Sequence, residues 1–272
     1  MRSARRSAGS GRRGGPERGG VTRDPNPLPD LRLIAGLQPV REAIRAHGAK
    51  LERVAVQAAG GPRLTALARF AADQGVRQVV ELPRAELDRL THGALHQGAV
   101  AWAEPLRLIP FEELLGDPAL LGVALDAIQD PQNFGAVIRS AAGVADAAVL
   151  WGEHASAPLG LATFRASAGA VEHARLCRVP SLAGALTEAR DRGVQVIALD
   201  AQAEQRLADF DLSTPTLLVI GSEHEGLGRA VRKTASGFAR LIETRHVASL
   251  NASVAAAIAL YESVNQRMKS GR

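Results

Sequence analysis

Apolar positions in the first part of the chain switch between helical and alternating periods. In GLQPVREAIRAHG, Val40 and Ile44 share one helical face, and Gly48 closes the helix. ERVAVQ then reads as a strand, RLTALARFAADQG as a helix, VRQVVEL as a strand, RAELDRLTHG as a helix and GAVAWAE as a closing strand. The pattern predicts a small α/β domain over residues 31–104. The next stretch, PLRLIPFEELLGDPALLG, has three prolines and no long amphipathic run, so a linker is expected over 105–120.

From 121 to 272 the pattern is more regular. VALDAI reads as a strand, followed by a helix from Phe134, and AAVLW as a strand before a helix near Ala162–Ala168. VQVIAL and TLLVI read as further strands, with a helix from Gly226, a strand ARLI and a final helix. Nearly all-apolar strands alternating with helices predict a parallel sheet covered on both faces. In the final helix Leu250, Val254, Ile258, Tyr261, Val264 and Met268 recur at helical spacing and are expected to form its apolar face.

Composition adds a charged tail. Residues 1–30 carry seven arginines against Glu17, Asp24 and Asp30, so most of the chain's net charge of +5 lies there. MRSARRSAGSGRRGGPERGG has almost nothing to bury and is expected to be disordered, either as a solvated extension or as a source of sequence-independent attraction to nucleic acid phosphates. No apolar run is long enough for a membrane span, and a cytoplasmic location is expected. The single cysteine, Cys177, excludes an intramolecular disulfide and reads as a small core residue. His92, His96 and Gln97 lie close together, but without a helical His pair no metal is expected.

Three polar clusters fall where strands give way to helices. Asp126 to Arg139, DAIQDPQNFGAVIR, leaves a strand through a proline turn and puts Asn133 at a helix start. GSEHEGLG, Gly221 to Gly228, follows TLLVI with spacing that fits neither a dinucleotide nor a triphosphate loop. Ser249, Leu250 and Asn251 open the last helix, whose mouth offers free N–H groups and the positive end of the helix dipole. Taken singly, Asn133 and Asn251 read equally well as helix caps.

Together, in this order, the clusters resemble the three motifs of the SpoU (TrmH) family of RNA ribose 2′-O-methyltransferases: NFGAVIRS, IGSEHEGLG and SLNASVAAAIALYE. GLQPVREAI and ALHQGAVAWAEP resemble the start and end of the family's N-terminal RNA-binding domain, an architecture most similar to that of bacterial 23S rRNA guanosine 2′-O-methyltransferases. The resemblance implies an α/β chain with a C-terminal trefoil-knotted SPOUT domain, a homodimer, an RNA substrate with ribosomal RNA favoured, and S-adenosylmethionine as cofactor. It assigns Asn133, Arg139, Glu223, Ser249 and Asn251 to catalysis. It assigns Leu199, Asp200, Gly221, Leu241, Ile242 and Leu250 to the cofactor. The family's usual Ile-Pro-Met segment with a following glycine is replaced here by Leu241, Ile242, Glu243 and Arg245. A non-catalytic RNA-binding dimer and the same chemistry on transfer RNA are the alternatives.

Overall fold

A computed structural model describes residues 30–154, 156–223, 225–242 and 249–271. The Arg-rich tail, apart from Asp30, lies outside these residues, as do His224 and the departures at Glu243 and Arg245.

The first unit runs β1 (Arg32–Ala35), α1 (Leu37–His47), β2 (Arg53–Gln57), α2 (Pro62–Asp73), β3 (Gln78–Leu82), α3 (Arg84–Leu90) and β4 (Ala99–Ala103). Its sheet has the order β1-β4-β2-β3, with β2 and β3 parallel and β4 antiparallel to both its neighbours. Ile34, Val40, Ile44, Val54, Val56 and Leu67 bury one face of this sheet. Ala55, Leu87, Val100 and Trp102 bury the other. β1 has no counterpart among the expected strands: it is only four residues long and runs straight into Gly36, whose φ of +113° turns the chain into α1. His96 is a buried structural residue. Its Nε2 lies 3.0 Å from Asp88 Oδ1, and its Nδ1 accepts from Gly98 N at 3.0 Å.

Within the expected linker, α4 (Phe111–Leu115) forms a single short helix with Leu114 buried. Ile109 N donates to Leu176 O at 2.7 Å, which pins the segment to the second unit.

That unit contains β5 (Leu121–Leu125), α5 (Pro131–Ser140), β6 (Ala148–Gly152), α6 (Leu161–Ala166), β7 (Arg175–Val179), α7 (Leu182–Asp191) and β8 (Gln195–Leu199). It ends with β9 (Thr216–Ile220), α8 (Arg229–Arg232), β10 (Gly237–Ala239) and α9 (Ala252–Lys269). All six strands are parallel, in the order β10-β8-β9-β5-β6-β7. Alternation along the strands divides the core. Val123, Leu125, Val149 and Trp151 face α5 and α9, whereas Ala124, Ala148, Leu150 and Cys177 face α7.

Four expectations change. The strand expected over ARLI, residues 239–242, is instead β10, which ends at Ala239 because Arg240 turns its backbone hydrogen bonds to Gln205 and Leu207. β7 and α7 have no counterpart in the expected elements, because Arg175 and Arg178 interrupt the apolar run of an edge strand; Ser181 nonetheless caps α7, accepting from Gly184 N at 3.2 Å. The helix expected from Gly226 begins at Arg229, since Gly226 has a φ of +66° and pairs back to Ser222. Most consequentially, the greater part of the expected apolar face of α9 is turned to solvent, with Val264 alone of its helical positions packed against the core. The buried face of α9 is Leu260 with the small residues Ala252, Ala256, Ala259 and Ser263, which let it lie close against α5, while Val254, Ile258, Tyr261 and Met268 are exposed.

Candidate active site

The carboxyl ends of β8, β9 and β10 surround a cavity of about 380 Å³. Leu199, Asp200, Gly221, Leu241, Ile242 and Leu250 all line it, together with Glu223 and Ser249. The place follows from the topology, because ligand crevices in open parallel sheets form outside the carboxyl ends of the strands. The lining is mixed. Leu199, Ile220, Leu241 and Leu250 supply apolar walls, and Asp200 and Glu223 supply carboxylates.

On the rim of the cavity three polar side chains meet from three distant parts of the chain. Asn133 Nδ2 donates to Glu223 Oε1 at 2.8 Å. Asn251 Nδ2 donates to Asn133 Oδ1 at 3.0 Å and also to Glu223 Oε1. Asn133 is free to do this because Asp130, one turn earlier, is the helix cap: its carboxylate accepts from Gln132 N at 3.0 Å and Asn133 N at 3.4 Å. Asn251 is both cap and cluster member. Its Oδ1 accepts from Ser253 N at 3.0 Å and Val254 N at 3.3 Å, leaving Nδ2 to face the other two residues.

Gly221 makes the cavity floor possible. A Cβ there would fall against the Gly226 carbonyl and 2.6 Å from Leu227 N, so the loop folds back on itself only where no side chain intervenes. Asp126 at the end of β5 secures the same loop, accepting from Gly228 N at 2.7 Å.

Arg139 stands apart from this constellation. It is exposed on α5, six residues or about 9 Å of helix rise beyond Asn133. It forms no hydrogen bond or ion pair among the described residues. The structure therefore joins Asn133, Glu223 and Asn251, puts Ser249 in the adjoining cavity wall, and leaves Arg139 outside the cluster.

A family model described as the SpoU rRNA methylase family matches residues 121–261, and one for RNA 2′-O ribose methyltransferase substrate binding matches residues 33–108. The chain belongs to the SpoU family. An uncharacterized tRNA/rRNA methyltransferase of Mycobacterium avium is 39% identical to this SpoU chain over 243 residues, covering 88% of it and 78% of the relative. Among solved structures, an RNA 2′-O ribose methyltransferase superposes with a TM-score of 0.71 at 28% identity, over 88% of this chain and 90% of that one. The SpoU methyltransferase AviRb from Streptomyces viridochromogenes, in complex with the cofactor AdoMet, gives a TM-score of 0.71 at 25% identity, over 89% and 92%. This SpoU chain is an RNA methyltransferase enzyme.

One SpoU-site feature escaped sequence reasoning. Arg232 of α8 lines the cavity and pairs with Asp200, Nη1 to Oδ2 at 2.7 Å, while its guanidinium lies 4.6 Å from the Phe238 ring centroid. A hydrogen bond from Gln202 N, together with Arg232, holds the Asp200 carboxyl below the usual range against the opposing effect of burial. No motif marks Arg232. Its only signal is the place of α8 immediately after the glycine loop.

Proposed function

We propose that this chain transfers a methyl group from S-adenosylmethionine to a ribose 2′-oxygen, at a guanosine of 23S ribosomal RNA, and works as a homodimer with a knotted C-terminal unit. The observation that carries this reading is the junction of the Asn133–Glu223–Asn251 cluster with a cavity lined by all six residues assigned to the cofactor. The cavity volume is within the range of small-molecule sites, and its mix of apolar wall and carboxylates suits a cofactor that joins a flat heterocycle to a cationic centre.

When bound, S-adenosylmethionine supplies an electrophilic methyl group on a sulfonium. The protein's part is to align the ribose hydroxyl and to stabilise the charge that develops on it. Asn133 and Asn251 fix the Glu223 carboxylate through its Oε1, and its Oε2 is the atom available to accept from substrate. Ser249, in the cavity wall, positions the donor side. A guanidinium offers hydrogen-bond donors and no acceptor, so Arg139 serves as an anion stabiliser rather than a base. Exposed and unpaired among the described residues, it is placed to bind RNA phosphate, and the hydroxyl proton passes to phosphate or water.

The choice of ribosomal RNA draws support from the additional N-terminal unit, which suits a structured RNA read by shape and splayed bases. Between α1 and α2 a groove of about 440 Å³ is lined by Arg41, Arg63 and Phe70, and neither arginine is ion-paired among the described residues. The homodimer draws support from α9, where Tyr261 and Met268 are 65% and 74% exposed in line with Val254 and Ile258.

The test is transfer of labelled methyl from S-adenosylmethionine to purified ribosomal and transfer RNA, followed by nucleoside mass spectrometry. 2′-O-methylguanosine in 23S RNA is expected, with transfer abolished in Arg139→Ala. Methyl groups on transfer RNA alone, or on a base, would overturn the assignment.

A further inference from the structure

The two units meet around one carboxylate. Glu172, in the turn after α6, has a side chain with 0% solvent exposure. Arg32 of β1 grips both of its oxygens: Nη1 donates to Oε1 at 2.7 Å, and Nη2 donates to Oε2. From the end of α1, His47 Nε2 lies 2.8 Å from Oε2. Arg32 is itself held in place, donating from Nε to Glu104 O at 2.8 Å and lying 5.5 Å from the Phe164 ring centroid.

Next to this ion cluster the backbones touch. A Cβ at Gly169 would fall 2.7 Å from Glu42 Cβ and 2.9 Å from Pro39 Cα, and the residue has a φ of +87°. Glycine is thus required twice over, by conformation and by the approach of α1. His173 completes the contact, with Nε2 3.3 Å from Glu42 Oε2.

The contact leads on to the catalytic helix. α6 lies against α5 at Gly135, where a Cβ would meet Ala166 Cβ at 2.5 Å and Thr163 O at 2.6 Å. Asn133 is two residues away. A continuous series of close contacts therefore runs from Arg32 through Glu172 and α6 to the helix that carries Asn133.

A buried ion pair adds little net stability compared with apolar packing, but a buried carboxylate separated from its cations is strongly penalised. Such a contact tolerates one docking geometry. We propose that Glu172 is a positioning residue that locks the RNA-binding unit onto the catalytic unit, so that the fixed span from RNA grip to the Asn133–Glu223–Asn251 cluster selects which ribose is methylated. The choice of ribose rests on the proposed function; the lock itself does not.

The test uses the full chain with spin labels at Glu81→Cys and Asp191→Cys, in a Cys177→Ala background, and measures the distance distribution between the units. A single narrow distribution is expected, broadened in Glu172→Gln and independently in Gly169→Ala, which leaves the carboxylate intact. Both variants should bind S-adenosylmethionine within about twofold of the parent, because neither residue nor its partners line the cavity. Their kcat/KM on RNA should fall about tenfold to a hundredfold, because a misplaced ribose misses the in-line geometry, and methyl groups should spread to neighbouring riboses. Narrow distributions in both variants would overturn the lock. Broadened distributions with an unchanged methylation site would overturn its role in selecting the ribose. A parent chain that transfers no methyl to RNA overturns the proposed function instead, and the distances then report on the lock alone.

Discussion

Asn251 carries two duties that different substitutions separate. As the cap of α9 it satisfies Ser253 N and Val254 N through Oδ1, and as a cluster member it donates from Nδ2 to Asn133 and Glu223. Asn251→Ala removes both and is expected to lower stability by about 1 kcal/mol in denaturant unfolding, with methyl transfer abolished. Asn251→Asp keeps the cap but sets a second carboxylate against Glu223 in place of a donor. Near-parental stability without methyl transfer is expected. Full activity in Asn251→Asp would remove the amide from the proposed chemistry. At this scale the sequence was legible in residue type and not in division of labour. Capping and cluster membership looked like alternatives for Asn133 and Asn251, because sequence does not show that Asp130 takes over the capping of α5.

At the scale of elements, helices approach where side chains are smallest. Gly135 lets α5 meet α6, and Ala252, Ala256 and Ala259 let α9 lie against α5. Gly135→Ala should cost about 1–3 kcal/mol through overpacking, and by displacing Asn133 should lower transfer more than it lowers the melting temperature. An unchanged melting temperature would mean that α6 yields easily. The spacing of large apolar residues located α9 correctly but gave a face of which Val264 meets the core and Val254, Ile258, Tyr261 and Met268 do not, since periodicity shows that a helix has two faces and not which one is buried. The α1–α2 groove makes a prediction of its own. Replacing Arg41 or Arg63 with alanine should weaken RNA binding and reduce the slope of log K against log salt by about one for each phosphate no longer neutralised. A slope unchanged in Arg41→Ala and Arg63→Ala would take the groove out of the RNA surface.

For the whole molecule, the buried carboxylate of Glu172 ties stability to pH. Burial alone would raise this carboxyl's pKa, but hydrogen bonds from His47 and Arg32 and the charges of both more than offset it and hold it below the ordinary glutamate range. A group depressed on folding stabilises fully above its unfolded pKa of about 4.3, and that contribution fades as pH falls through the folded value. The parent should therefore melt higher than Glu172→Gln at neutral pH, with the gap closing as pH falls below about 4. A gap independent of pH would mean that the carboxylate is not the stabilising form. The parallel sheet and its strands were largely readable from apolar runs, except for β7, which its arginines disguise, and β10, which ends at Ala239 where the expected strand began. The pairing of Glu172 with Arg32 was not readable, because 140 residues separate the two and no periodicity links them.

The central claim is that the cavity at the ends of β8, β9 and β10 holds the methyl donor beside the polar cluster, and calorimetric titration with S-adenosylmethionine tests it most directly. One saturable site per chain is expected, abolished in Gly221→Ala while circular dichroism shows the sheet intact, because a Cβ there has no room beside the Gly226 carbonyl. No saturable binding by the parent chain, with RNA present as well as absent, would contradict it.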